Sequence, residues 1–195
     1  MLNRLAILIT SFSILAYAIS TNISQTSFGQ AIETWQTYVD PDKKFTLYYP
    51  PGLQAKGKEN FLSSTDLTLT KPNSPRSFQI TISYTLNDTS LNYTGKEDII
   101  PENDLRNLEE QLKPAYQIYN VVEGNLTSYD LYGFPTSGNI VDYTKHDGES
   151  GRTLNVLGIV KGKNSFLFSY SNSIEAFYKY LPTANEIVKS IVILK

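Results

Sequence analysis

Alternation of apolar and polar residues marks out the strands of this chain. In Phe45–Tyr49, Phe45, Leu47 and Tyr49 share one face while Thr46 and Tyr48 take the other, the period-two signature of a half-buried strand. Pro50 has no N–H to continue a ladder and Pro51-Gly52 turns the chain, so this strand is expected to stop abruptly. Ser77–Leu86 is the clearest case. Phe78, Ile80, Ile82, Tyr84 and Leu86 alternate with Ser77, Gln79, Thr81, Ser83 and Thr85, which predicts one buried face and one wet or lightly covered face. Shorter or less regular runs predict strands at Trp35–Val39, Leu67–Thr70, Tyr116–Val122, Leu126–Leu131, Thr136–Thr144, Thr153–Val160 and Asn164–Tyr170. Asp40-Pro41-Asp42, Asp147-Gly148 and Lys161–Asn164 supply turn chemistry between them.

Twice the period becomes helical. Between Pro101 and Pro114, Leu105, Leu108 and Leu112 form a narrow apolar stripe, and Glu102, Asp104, Glu109 and Glu110 are expected to face water. After Ser173, a suitable N-cap, Ile174, Phe177, Tyr178 and Leu181 lie on one face. Pro182 is expected to break or kink that helix, after which Ala184, Ile187, Val188 and Ile191 resume the period. The order of strands, one helix, a meander of strands and terminal helices predicts an α+β domain, an antiparallel sheet flanked by helices.

The chain of 195 residues has the length of one domain with a substantial core. Its start reads differently. Arg4 precedes an apolar stretch from Leu5 to Ile19, and Ala16-Tyr17-Ala18 fits the small-x-small pattern of a signal-peptidase site. The stretch is short against the roughly 20 residues a membrane-spanning helix needs. Residues 1–18 are therefore read as a cleaved signal peptide. Residues 19–33, rich in Ser, Thr, Gln and Asn, are read as a flexible linker, and 34–195 as the folded domain. Secretion, or attachment to the extracytoplasmic face of the cell membrane, follows, with no transmembrane segment after cleavage. With no cysteine, neither disulfides nor a lipid-bearing cysteine contribute. Sequons at Asn22, Asn87, Asn92 and Asn125 say little, because a chain rich in Asn, Ser and Thr forms the motif by chance.

A net charge of −2 without any Lys/Arg tract argues against nucleic-acid binding. Templates for catalysis fail in turn. His146 is the only imidazole, and Gly148-Glu149-Ser150-Gly151 beside it lacks the spacing of a nucleophile elbow. Gly158–Asn164, "GIVKGKN", has three residues between its glycines and Asn after Gly-Lys, so it is not a phosphate loop. Asp142, His146, Asp147 and Glu149 could gather round an ion, but charged hairpin tips are ordinarily solvated. The tyrosines at 48, 84, 93, 116, 119, 129, 132, 143 and 170 could line a groove for a sugar or an apolar ligand, although strand-rich proteins use tyrosine widely at the rim of the core. No catalytic, cofactor-binding or metal-binding residue is assigned, and the chain is read as no enzyme.

Three segments resemble a known family. "WQTYVDPDKKFTLYYPPGL" (35–53), "LYGFPTSGNIVDYT" (131–144) and "VKGKNSFLFSYSNSIEAFYKYLPTANEIVKSIVIL" (160–194) resemble the opening, a strand entry and the ending of PsbP-like domains, including the related Mog1/DcrB group. Leu53 stands where such domains commonly carry Trp. The resemblance spans residues 34–195 and implies a central antiparallel sheet sandwiched by helices. It also implies a non-enzymatic role, as an extrinsic subunit of a membrane complex or a partner of other proteins. The expectation is an exported, monomeric binding or accessory module with a protein partner in an envelope or membrane complex. The alternative is an extracytoplasmic small-ligand or metal-ion binding protein.

Overall fold

The turns behave as their residues dictate. Pro41 and Asp42 occupy the centre of a turn closed by Lys43 N–H to the Asp40 carbonyl (2.8 Å), with Lys43 at φ +54°. At the second, Gly52 takes φ +94° after Pro51, a conformation glycine adopts without steric cost. This is a computed structural model, and it describes residues 35–57, 65–73, 78–85, 101–124, 126, 134, 136–160 and 164–194. The expected signal peptide, linker and four sequons lie outside these residues, as does most of the expected Leu126–Leu131 strand.

Ten strands and two helices are described: β1 Gln36–Val39, β2 Phe45–Tyr49, β3 Gln54–Gly57, β4 Leu67–Thr70, β5 Phe78–Thr85, α1 Pro101–Leu112, β6 Tyr116–Glu123, β7 Thr136–Lys145, β8 Ser150–Val160, β9 Asn164–Asn172, α2 Ile174–Lys189 and β10 Val192–Ile193. A short 3-10 turn, Lys113–Ala115, joins α1 to β6. Seven strands form one antiparallel sheet in the order β3-β4-β5-β9-β8-β7-β6. A second sheet, β1-β2-β10, is small and was not separately expected. Gln36–Lys195 make one compact unit. The architecture is α+β, as the pattern predicts.

One face of the large sheet carries the core. Ile80 and Ile82 of β5, Phe166, Phe168 and Tyr170 of β9, and Leu154 and Val156 of β8 are all buried there. Tyr170 stacks on Phe177 of α2 at 5.0 Å, and Phe45 of β2 meets Phe166 edge-on at 5.9 Å. Asn172, 2 % exposed, organises the strand-to-helix step. Its Nδ2 donates to the Tyr170 hydroxyl (2.9 Å), its Oδ1 accepts from Ser173 N–H (2.8 Å), and Ser173 then caps α2 by accepting from Ala176 N–H. Lys44 ties the two sheets together. Its ammonium contacts Asp66 at 2.7 Å, and the other oxygen of that carboxylate accepts the Tyr84 N–H at 2.6 Å.

Three local expectations change. The helix α2 runs through Pro182 without breaking, from Ile174 to Lys189, because Phe177 before the proline and Ala184, Ile187 and Val188 after it are all buried. Ile174 and Tyr178 point outward, at 43 % and 53 % exposure. The Arg152 guanidinium lies over the Tyr178 ring, 5.2 Å from its centre. Ile191 leaves the helical period, since Ser190 ends α2 and Val192–Ile193 pair with Phe45 and Thr46.

Candidate functional site on the polar face of the sheet

The second face of the large sheet mixes polar and apolar side chains: Gln79, Thr81 and Ser83 of β5, Asn139 of β7, Thr153 and Asn155 of β8, and Ser169 and Ser171 of β9 share it with Val141, Leu157, Ile159 and Leu167. The register turns those positions into rows. Thr81, Ser169, Asn155 and Asn139 lie side by side across four strands, and Gln79, Ser171 and Thr153 form the row beside them. On this face α1 packs against β7 and β8, with Leu105 and Leu108 meeting Leu157, Ile159 and Leu167.

A hydrogen-bond chain runs along the first row. Ser169 Oγ donates to Asn155 Oδ1 (2.8 Å), Asn155 Nδ2 donates to Asn139 Oδ1 (3.0 Å), and Asn139 Nδ2 donates to Glu109 Oε1 on α1. Asn139 and Asn155 are 1 % and 6 % exposed, so these bonds satisfy amides that water does not reach. Beside the chain, Ser171 Oγ donates to Thr153 Oγ1 (3.1 Å). The lower rim is aromatic. Tyr116 lies 5.5 Å from Tyr119 and 5.4 Å from Tyr143. Gly151 lies directly across from Tyr143 and leaves room for its ring; a Cβ there would stand 2.7 Å from the Tyr143 hydroxyl. Burial, reinforced by the Glu109 carboxylate and Tyr116, pushes the Tyr119 phenol well above its ordinary range. The Tyr119 hydroxyl and Ser137 Oγ are buried without a hydrogen-bond partner among the described residues.

The expected tyrosine groove divides. Tyr116, Tyr119 and Tyr143 come together on the polar face, whereas Tyr84 and Tyr170 belong to the core face and Tyr48 sits on β2 of the small sheet. Residues 93, 129 and 132 lie outside the described residues. The hairpin round His146 does not gather its acids. Asp142 pairs with Arg152 through two contacts of 2.6 and 2.8 Å, Glu149 pairs with Lys145 at 2.9 Å, and Asp147 accepts from Glu149 N–H. His146 Nε2 stands 3.4 Å from the Pro114 carbonyl. Glu109, expected to face water, instead holds Asn139. Its signal in the sequence was missed because the acids of α1 read as one solvated run.

β6 ends the sheet on this side. No described strand lies beyond it, and Ile118, Val121 and Val122 are 55 %, 39 % and 43 % exposed. Its pairing with β7 is regular from Ile118 to Val121 and shifts register at either end.

A seven-stranded antiparallel sheet with α1 on one face and α2 with a small sheet on the other defines the PsbP/Mog1-like α+β fold. Solved structures that share it include cyanobacterial PsbP (CyanoP) from Synechocystis sp. PCC 6803, the Ran-binding protein Mog1p of Saccharomyces cerevisiae, and LpqN, involved in cell envelope biogenesis of Mycobacterium tuberculosis. CyanoP superposes with a TM-score of 0.60 at 12 % identity, over 85 % of this chain and 95 % of its own. For Mog1p the values are 0.52, 11 %, 83 % and 96 %, and for LpqN 0.52, 15 %, 86 % and 97 %. No protein-family model and no curated protein sequence matches the chain.

Proposed function

We propose that the protein is an exported, non-enzymatic accessory module that joins a membrane- or envelope-associated assembly by adding a strand of a partner protein to β6. The observation that carries this reading is the β6 edge itself. An edge strand presents unpaired N–H and C=O groups, and such edges are commonly guarded by Lys or Pro. β6 has no lysine, arginine or proline, and its one charged residue, Glu123, stands at its end, so the strand carries none of these guards against pairing with an extended segment. Exposed Ile118, Val121 and Val122 supply apolar contact on both sides of the added strand. Two further facts support the role: Mog1p, which shares the fold, binds Ran, and LpqN, which also shares it, takes part in envelope biogenesis. The signal-peptide pattern of residues 1–18 supports export, and among the described residues no helix is long and apolar enough to cross a membrane.

The test is crosslinking of the full-length tagged protein in its own cells, followed by recovery from the solubilised envelope fraction. Wild type is expected to bring down one partner in near-equal amount, with crosslinks on 116–123. Ile118→Lys and Val122→Lys, at exposed positions that leave the core intact, are expected to lose it. A partner retained by both variants would remove β6 from the mechanism, and mature protein confined to the cytosol would remove the accessory role.

A further inference from the structure

We propose that the polar face of the large sheet is a binding site for a neutral carbohydrate, centred on Ser169 and backed by the Asn155–Asn139–Glu109 chain. This inference is independent of the strand-pairing role of β6, which uses the edge of the sheet and not its face.

Direction is the first argument. Every hydrogen bond in the chain is donated toward Glu109, so the dipoles of Ser169, Asn155 and Asn139 align and end on a carboxylate. Aligned chains polarise one another and strengthen each bond. At the far end, Ser169 Oγ has committed its proton to Asn155 and presents its lone pairs to whatever lies outside. It is therefore an acceptor by construction. Ser169 is half-buried, and so are Thr81 across from it and Thr153 and Ser171 in the next row. The chain thus runs from a half-buried carboxylate through two buried amides to a half-buried hydroxyl.

Composition is the second argument. At Thr81, Ser169, Asn155 and Asn139 of the first row and Gln79, Ser171 and Thr153 of the second, every side chain is a hydroxyl or an amide and none is charged; the second row then ends on buried Val141 of β7. At these positions phosphate or sulfate would meet no cation, Lys56 lying two strands beyond Thr81 in the first row, and an ammonium would find the Glu109 carboxylate already bonded to Asn139. A neutral ligand with several hydroxyls suits the surface, since each hydroxyl both donates and accepts. Neighbouring strands place the row positions about 4.8 Å apart, so one sugar ring spans two of them.

Unfilled polar capacity is the third argument. Ser137 is fully buried on the same face of β7 as Asn139, two residues away, and its Oγ has no partner among the described residues. The Tyr119 hydroxyl, close enough to Glu109 to feel its charge, is also buried and without a hydrogen-bond partner among the described residues. Buried hydroxyls rarely go unpaired unless a ligand or water completes them.

The test is titration of the ¹⁵N-labelled domain with D-glucose, D-galactose and N-acetyl-D-glucosamine, and with cellotriose and chitotriose, alongside calorimetry. At least one probe is expected to move the amides of 79–83, 153–156 and 167–171 together. Tighter binding of a trimer than of its monomer identifies a glycan chain as the source, and equal binding identifies a single sugar. Ser169→Ala, which removes the terminal acceptor at a half-buried position, is expected to weaken binding about fivefold. Glu109→Gln keeps the shape but removes the charge that orients the chain, and is expected to weaken it as well. Flat titrations with all five probes would overturn the proposal. So would binding unchanged in both variants, each shown to be folded by its amide spectrum. Failure here leaves the β6 crosslinking result untouched, so the two readings are separable.

Discussion

At the level of single residues, Gly151 shows how a missing side chain shapes the polar face. A Cβ at this position would lie 2.7 Å from the Tyr143 hydroxyl and 2.9 Å from the Asn172 carbonyl oxygen. The Tyr143 ring can give way only by disturbing Tyr116, and the Asn172 backbone is fixed by pairing between β8 and β9. Gly151→Ala is therefore expected to destabilise the domain by about 1–3 kcal/mol, the usual cost of forcing extra volume into a packed site. Urea unfolding measures it, and an unchanged midpoint would show that Tyr143 moves freely. Most of the polar site was legible only in part. Alternation along Ser77–Leu86 correctly exposed Gln79 and Thr85 and half-exposed Thr81 and Ser83. What alternation could not reveal is that Thr81, Ser169, Asn155 and Asn139 become neighbours. That depends on β9 inserting between β5 and β8, a pairing between residues far apart in sequence.

Among whole elements, α2 sets local propensity against tertiary packing. An interior proline removes one backbone hydrogen bond and crowds the carbonyl four residues before it, here that of Tyr178. The helix persists because it buries apolar side chains both before and after Pro182. Pro182 itself is exposed, so Pro182→Ala should restore the bond without disturbing the core. A gain of about 1–3 kcal/mol is expected, read as a higher denaturant midpoint with an unchanged slope; no gain would mean that the proline already suits a bend in the helix. Strands with strong alternation, β2 and β5 above all, were legible within a residue or so at each end. β3 was not, since "QAKG" has no alternation and becomes a strand only by pairing with β4 at the sheet edge. Ile191 carried an apolar signal that fits either a helix or a strand, and the Ser190 cap decides the matter. Its Oγ contacts the Tyr48 backbone N–H and the Ile187 carbonyl, ending α2 against β2.

For the molecule as a whole, the join between the two sheets determines how it responds to charge. The Lys44–Asp66 pair is largely buried, at 13 % and 3 % side-chain exposure. Removing one partner of such a pair strands the other, at a typical cost of about 3–5 kcal/mol. Asp66→Ala also frees the Tyr84 N–H, so it is expected to fall at the upper end of that range, measured by urea unfolding; a cost under about 1 kcal/mol would mean that water reaches Lys44. The same join predicts a sensitivity to alkali. Burial alone would pull the Lys44 pKa down, but its hydrogen bond and attraction to Asp66 outweigh this and leave it above the usual lysine value. Burial pushes Tyr38 up to about 12, with Asp40 and Asp66 adding to the effect, and burial likewise brings Tyr170 to about 12. All three groups hold their protons more tightly folded than unfolded. Their contribution is complete below pH 10, where the unfolded groups are still protonated, and is lost as pH rises from about 10 through about 12. Stability should therefore fall steeply across that window. In Tyr38→Phe and Lys44→Met the fall should be shallower, even though both variants begin from lower stability at neutral pH. Denaturation midpoints from pH 8 to 12 decide the point, because a wild-type curve parallel to both variants would mean that the inter-sheet join does not govern alkaline unfolding.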